Sequence, residues 1–577
     1  MTERERTRLI SVAAGREKAE LVLKNANIVN VFTQKIEQGD LAVDGGVIAG
    51  IGDYEGIKEI DCGGKYLIPG LIDGHMHIES TQLTPAELAK AILPHGTTTL
   101  IADPHEIANV CGNAGVEYIA AAAARTPLTV KVMYPSCVPA TPFENSGAVL
   151  DAKEVKAHIA DGGIWGLGEY MNYPAVINAA ADDVEKLCAA ENKGCVIDGH
   201  APDLTGKNLN AYLCGGISTD HECVTEREIE EKIARGMYVH LREGSATRNA
   251  EKNAKAVNAR NMRRFILCTD DRHACDLKRG GHVDNILRIL VKNGVDPIWA
   301  VVMGTLNTAE CYRLHGYGAL APDYAADIVC VDDLTEFNAA FVVKNGKVVA
   351  ENGRALFDVQ PYDDERVKNT VHPAPLCQAD FDIVSRSEYV KVIRLLHHNV
   401  VTEKTVRKVK LVNGKVDVAG TDLLKLAVVE RHKATGNVGR GLIEGYGLKN
   451  GAIALTVAHD SHNIIVLGDT SENMYAAAAE IVRIGGGMAL VENGKVKASL
   501  PLEIAGLMSE LGIDEFENKL EKMIACAYEM GVAKDIQPFM SLSFLALVVI
   551  PELKITDRGL FDVAKFGFTP IEAEDFA

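Results

Sequence analysis

The chain predicts an α/β fold: a (β/α)8 barrel of the TIM type, a small β-unit drawn from both flanks of that barrel, and an additional C-terminal α+β domain. Three observations carry this. Eight apolar, strand-like runs alternate with helical runs across residues 68–315, which is the pattern and size of such a barrel. Short β-type runs with Gly, Asn and Asp turns fill residues 20–66 and return at 327–351, where VVKNGKVV echoes LVLKNANIV. From about residue 376 the alternation gives way to strands separated by long helical runs. A length of 577 residues exceeds one ordinary core and agrees with several domains.

Residues 1–67 supply the first half of the β-unit, with the runs LVLKNANIVNV, LAVDGGVIAGIGD and EIDCGGKYL reading as hairpins. The barrel spans 68–320. Its strand-like runs are LIPGLIDGHMH, TTTLIADPHE, LTVKVMYPSCVP, GIWGLGEYM, GCVIDGHAP, GISTDHE, MYVHLREGS and RFILCTDDRH. Between them PAELAKAILPHG, EVKAHIADG, AVINAAADDVEKLCAAENKG and EREIEEKIARG read as helices that end at Gly, as C-capped helices do. Residues 321–375 complete the β-unit and add a polar, proline-containing linker, VQPYDDERVKNTVHPAPL at 359–376. Residues 376–577 form the last domain, with strands such as GAIALTVAHDSHNIIVLGD and helices such as FENKLEKMIACAYEMG.

Composition removes several function classes. Sixty basic against 79 acidic residues give a net charge of −19, a poor field for a polyanion, so no nucleic-acid partner is expected. No apolar run reaches membrane-spanning length; FMSLSFLALVVI at 539–550 reads as a buried strand or helix. The start MTERERTR has no signal-peptide character, and 13 cysteines without a C-x-x-C pair fit reduced thiols, so a cytoplasmic location is expected. The same absence excludes the H-x-E…P-C-x-x-C zinc site.

Active groups of a (β/α)8 barrel lie at the C-terminal ends of its strands. Strand one ends in His75 and His77, two residues apart and so on one face. Strand four ends in Glu169, strand five in His200, strand six in His221, and strand eight in Asp270 and Asp271. Four imidazoles and their carboxylates at one mouth are costly without a cation, and the donors suit Mn, Fe(II) or Zn. His75, His77, Glu169, His200, His221 and Asp270 are therefore the expected ligands, with Glu169 able to bridge a pair of metals. Strand two adds His105 and Glu106, and strand seven adds Arg242, Glu243 and Ser245. His105, Arg242, Glu243 and Asp271 are candidate substrate contacts. His459 and His462, in HDSHN of the last domain, either reach the mouth, bind a further metal, or form a polar turn.

The phrases GLIDGHMHIES, VIDGHAP, ISTDHE and LCTDDRH resemble the amidohydrolase superfamily, and with EGYGLKNGAIALTVAHDSHN they are similar to its bacterial adenine deaminase family. The resemblance implies a β-sandwich made from both flanks of the barrel. It implies hydrolytic deamination of adenine to hypoxanthine and ammonia by hydroxide activated on a divalent metal pair, Mn2+ or Fe2+ first and Zn2+ next. Glu169 stands where hydantoinases, dihydroorotases and ureases carry a carboxylated Lys, which counts against cyclic amides. Asp270 is the expected proton shuttle. Glu222, beside His221, or Asp203, three residues after His200, would protonate the ring nitrogen beside C6. The rival readings are an amidohydrolase for another aminopurine or a cyclic amide, and an inactive metal-binding scaffold. A homo-oligomer, dimer or tetramer, is expected. The last domain is expected to close the mouth through HDSHN, and its removal near residue 376 to leave a soluble barrel.

Overall fold

In the computed structural model, which describes residues 1–396 and 400–573, the run LIPGLIDGHMH is two strands, not one. Tyr66–Pro69 belongs to the flanking sheet, and the chain then turns at Gly70 into the first barrel strand, β1 (Leu71–Met76). Only glycine fits the turn, because a Cβ there would lie 2.3 Å from Thr98 Oγ1. The other barrel strands are β2 (Thr97–Ala102), β3 (Thr129–Tyr134), β4 (Gly166–Tyr170), β5 (Val196–Gly199), β6 (Thr219–Asp220), β7 (Tyr238–Arg242) and β8 (Phe265–Cys268). Strands β1 to β5 pair in parallel order, and so do β6 to β8. Ser218 N–H donates to Ile197 O at 3.3 Å and Asp270 N–H to His75 O at 3.0 Å, which joins the two arcs into a closed ring. A closed ring has no free strand edge, and its strand ends all open on one face.

The helices lie outside this ring. Asp151 caps Ala152–Asp161, which stops at Gly162 in the left-handed region (φ 75°). The run AVINAAADDVEKLCAAENKG is broken into Tyr173–Ile177 and Ala181–Asn192, because Ala179 takes φ 51° between them. The two flanks make one hydrogen-bonded sheet of nine strands, stitched by Tyr66–Pro69, which pairs with Ala19–Asn30 on one side and Ile328–Val331 on the other.

The last domain is built on an eight-stranded sheet. Helix Ser471–Ile484 lays Met474, Ala477, Ala478 and Ile481 on it, a stripe at helical spacing, against Ala452, Ala454, Val466 and Ala489. This domain does not sit apart from the barrel. Leu83, Leu88 and Ile92 share one apolar core with Leu502, Leu507, Phe516 and Leu520, and Ser509 N–H donates to Gln82 O at 2.9 Å. Cutting near residue 376 would expose that core to water, which argues against a soluble truncated barrel. Among the described residues no helix is long and apolar enough to cross a membrane. The run FMSLSFLALVVI is a short, largely buried helix, Pro538–Ser543, continued by a 3-10 turn.

Candidate metal centre

The strand ends place the six expected ligands in two groups that share Glu169. In the first, His75 Nε2 and His77 Nε2 lie 3.2 Å apart, and His77 Nε2 is 3.2 Å from Glu169 Oε1 and 3.1 Å from Asp270 Oδ1. In the second, His200 Nδ1 is 3.2 Å from His221 Nε2, and these nitrogens are 2.9 and 3.4 Å from Glu169 Oε2. Each oxygen of Glu169 thus faces its own set of imidazoles, and both sets have the spacing of groups that hold a cation. Except at His200, these side chains are almost wholly buried.

The residues around the ligands fit them for a metal. His75 Nδ1 is 2.9 Å from Asp198 Oδ2, and His77 Nδ1 is 2.9 Å from the Asp103 carbonyl. A ring nitrogen engaged with an acceptor carries the proton, so the Nε2 lone pairs of both histidines are free to ligate. Asp103 Oδ2 also accepts Glu169 N–H at 2.8 Å, and Asp73 joins β1 to β8 through Thr269 Oγ1 at 2.5 Å. Asp220 holds the second pair: it accepts Ala201 N–H at 2.7 Å and pairs with buried Lys232 at 2.8 Å. Burial opposes charging His75, yet Asp198, Asp270 and Glu169 push its ring up to about 10, and Glu169 and Glu222 push His200 to about 9. A divalent cation supplies the same charge and displaces those protons.

Asp270 occupies a left-handed backbone position (φ 58°) just past β8. Burial would raise its carboxyl, but Arg242, His75 and His77 outweigh that and hold it well below the usual range. Arg242 Nη1 donates to Asp270 Oδ2 at 2.8 Å, and the same guanidinium grips both oxygens of Glu222. Arg242, expected to contact substrate, is thus occupied with positioning two carboxylates. Glu222 lies 3.7 Å from His200 Nδ1 and 3.6 Å from His221 Nε2, beside the second group. Asp203 is elsewhere: its N–H donates to Glu228 at 3.2 Å, and its carboxylate joins neither group. His105 Nδ1 is 3.5 Å from Glu169 Oε1. Glu243 pairs with Arg248 at 3.6 Å, and Asp271 accepts Ser80 Oγ–H at 2.5 Å. Asp198 and Asp103 were not among the sequence candidates. A signal for Asp198 exists in the doubled phrase IDGH at 72–75 and 197–200.

The HDSHN turn reaches the mouth. Glu106, just past β2, receives His459 Nδ1 at 2.6 Å on one oxygen and His462 Nε2 on the other, and all three are buried. The three groups are close enough to hold a cation, but the tautomer opposes it. Ala458 N–H donates to His462 Nδ1 at 3.1 Å, so the His462 proton sits on Nε2, where it donates to Glu106. Burial lowers His459, but Glu106 outweighs it and raises the ring to about 9, while burial takes His462 to about 4 despite Glu106. The arrangement is a latch: one carboxylate between an imidazolium and a neutral imidazole. His459→Ala is expected to speed amide exchange across residues 457–463 by about tenfold to a hundredfold, the worth of a charge-assisted hydrogen bond. Unchanged exchange there would show that the turn is held without it.

The barrel, with candidate metal ligands at five strand ends, is of the amidohydrolase class, and the amidohydrolase family model matches residues 66–349. Residues 399–567 match the adenine deaminase C-terminal domain. The chain is 49% identical over 564 residues to an adenine deaminase of Nitratidesulfovibrio vulgaris (strain DP4), covering 98% of each chain. It is 47% identical to one of Clostridium acetobutylicum, over 97% of this chain and 99% of that one. It is 45% identical to one of Geobacillus kaustophilus, over 98% of each. The chain belongs to the adenine deaminase family.

Proposed function

We propose that this chain deaminates adenine hydrolytically to hypoxanthine and ammonia, using a pair of divalent cations held by His75, His77, Glu169, His200, His221 and Asp270. The observation that carries the reading is Glu169, whose two oxygens face two separate imidazole groups at the barrel mouth in a chain of this family. The mixed imidazole and carboxylate set accepts several divalent metals; the family resemblance puts Mn2+ or Fe2+ first and Zn2+ next. A bound pair supplies a water that ionises near neutral pH.

The chain's own residues then divide the proton work. Asp270 turns one oxygen to the first group and the other to Arg242. Held by Arg242 as a carboxylate, it is placed to accept the proton of the attacking water and pass it to the departing amine. Glu222, held by Arg242 beside His200 and His221, is the better placed of the two candidates to protonate the ring nitrogen next to C6; Asp203 is the alternative. His105 borders the same space. Burial of the ligands excludes bulk water, which strengthens each of these contacts.

In the same reading, residues 1–67 and 321–375 form the flanking β-sandwich, 68–320 the catalytic barrel, and 376–577 a domain that covers the mouth. The protein works in the cytoplasm as a dimer or tetramer. The deciding experiment is metal analysis of the purified protein with ammonia release from adenine, guanine and adenosine and ring opening of a hydantoin. Ammonia is expected from adenine, to vanish on chelation and to return with Mn2+. A fully metallated protein that releases none from adenine would sink the reading, and ring opening of the hydantoin would move it to the cyclic-amide class.

A further inference from the structure

The turn that latches onto Glu106 is fixed from several sides. His459 N–H donates to Ser543 O at 3.1 Å, Asn463 Nδ2 to Asn145 O at 2.8 Å, and His432 Nε2 lies 2.7 Å from Ser461 O. Arg431, fully buried, grips His462 O and reaches Ala505 O at 3.0 Å. Between the two latched histidines sits Asp460. It is 4% exposed, and its Oδ2 is buried without any hydrogen-bond partner. On the barrel side of the same junction, His105 Nδ1 is also buried and unpartnered, 3.5 Å from the bridging Glu169. The neighbours of Asp460, His459 and His462, both meet Glu106, whose Oε1 is 3.6 Å from His105 Nε2, and His105 Nδ1 in turn is 3.5 Å from Glu169. Asp460 is thus carried by the turn that meets the barrel mouth beside the candidate ligands.

A buried carboxylate oxygen with no donor is costly unless a ligand supplies one. A purine that turns C6 toward the ligand groups keeps N9, the five-membered-ring nitrogen diagonal to C6, on the side away from them, toward whatever covers the mouth. A free base carries one N–H on that ring, whereas a nucleoside carries the sugar there. We propose that Asp460 contacts the substrate directly: its carboxylate accepts the five-membered-ring N–H of a free purine base, so the C-terminal domain selects bases over 9-substituted purines. This rests on the aminopurine reading given above and adds the residue that reads the far edge.

The test uses the metal-loaded full chain and two non-reacting probes, purine and 9-methylpurine, as competitive inhibitors of adenine turnover. In the wild-type protein purine is expected to bind at least about tenfold more tightly than 9-methylpurine, as a hydrogen bond to a charged group implies. In Asp460→Ala, with metal content unchanged, purine should weaken about tenfold to a hundredfold and 9-methylpurine less than about twofold, so that the ratio collapses. A structural role alone would weaken both probes alike, and that result, or an unchanged ratio, overturns the proposal. Should Asp460→Ala fail to fold or lose metal, Asp460→Asn keeps the shape with a neutral acceptor. It should narrow the ratio in the same direction, and an unchanged ratio in it also overturns the proposal. Wild-type protein that releases no ammonia from adenine would instead fail the deaminase reading; the probes' affinities, then taken from direct binding, still judge Asp460.

Discussion

Replacing Glu169 by Gln is expected to strip both cations and lower adenine turnover by at least about a thousandfold, because the metal-ionised nucleophile is lost. Glu169 is the one residue shared by the two ligand groups, through Oε1 to His77 and Oε2 to His200. An amide has one oxygen, and its NH2 turned toward the other group would repel a cation there. The fold should survive, since the backbone at this position is held independently: Asp103 Oδ2 accepts Glu169 N–H at 2.8 Å, and Ser136 Oγ donates to Glu169 O. Elemental analysis of the purified variant, set beside its melting temperature and ammonia release, reads all three quantities. A variant that keeps both cations and its turnover would remove Glu169 from the bridging role.

Asp270→Asn is expected to behave differently: turnover falls about a hundredfold to ten-thousandfold, the range of a lost general acid–base, while KM for adenine moves less than about threefold. The Asn side chain still offers an oxygen toward His75 and His77, so the first group keeps a neutral donor. It cannot take a proton from water. In the wild-type protein Arg242 and the two rings more than offset the burial that would raise Asp270. The folded pKa is thus depressed, so Asp270 is ionised throughout the neutral range and loses its accepting role only as pH falls through that low value. An activity loss near neutral pH must then come from another group. Steady-state kinetics with metal content measured on the same sample decides the matter, and near-normal turnover would take Asp270 out of the shuttle.

The ligands were legible because each is a local feature. His75, Glu169, His200 and Asp270 all follow a short apolar run, and the period of two within a strand puts His77 beside His75. The latch was legible as a pair of histidines in a turn expected to close the mouth, but not its partner Glu106. Arg242 illustrates the opposite case. Its place at the end of β7 was visible, but its engagement with Glu222 and Asp270, 20 and 28 residues away, was not. The sequence offered both Asp203 and Glu222 and favoured Glu222, which the fold sets beside the ligand groups.

By itself the sequence determined the barrel, the strand ends that carry the candidate metal ligands, the flanking strands and the family. Those properties rest on periodicity and on residues neighbouring in the chain, where apolar runs and turn residues dictate structure locally. Only the tertiary structure decided how the ligands are oriented and what covers them. Asp198 reaches His75 from 123 residues away, and His459 and His462 reach Glu106 from 353 and 356. No local propensity encodes such pairs. They follow from ring closure of the barrel and from an apolar core that the barrel and the last domain share, which bring buried donors and acceptors together where each must find a partner.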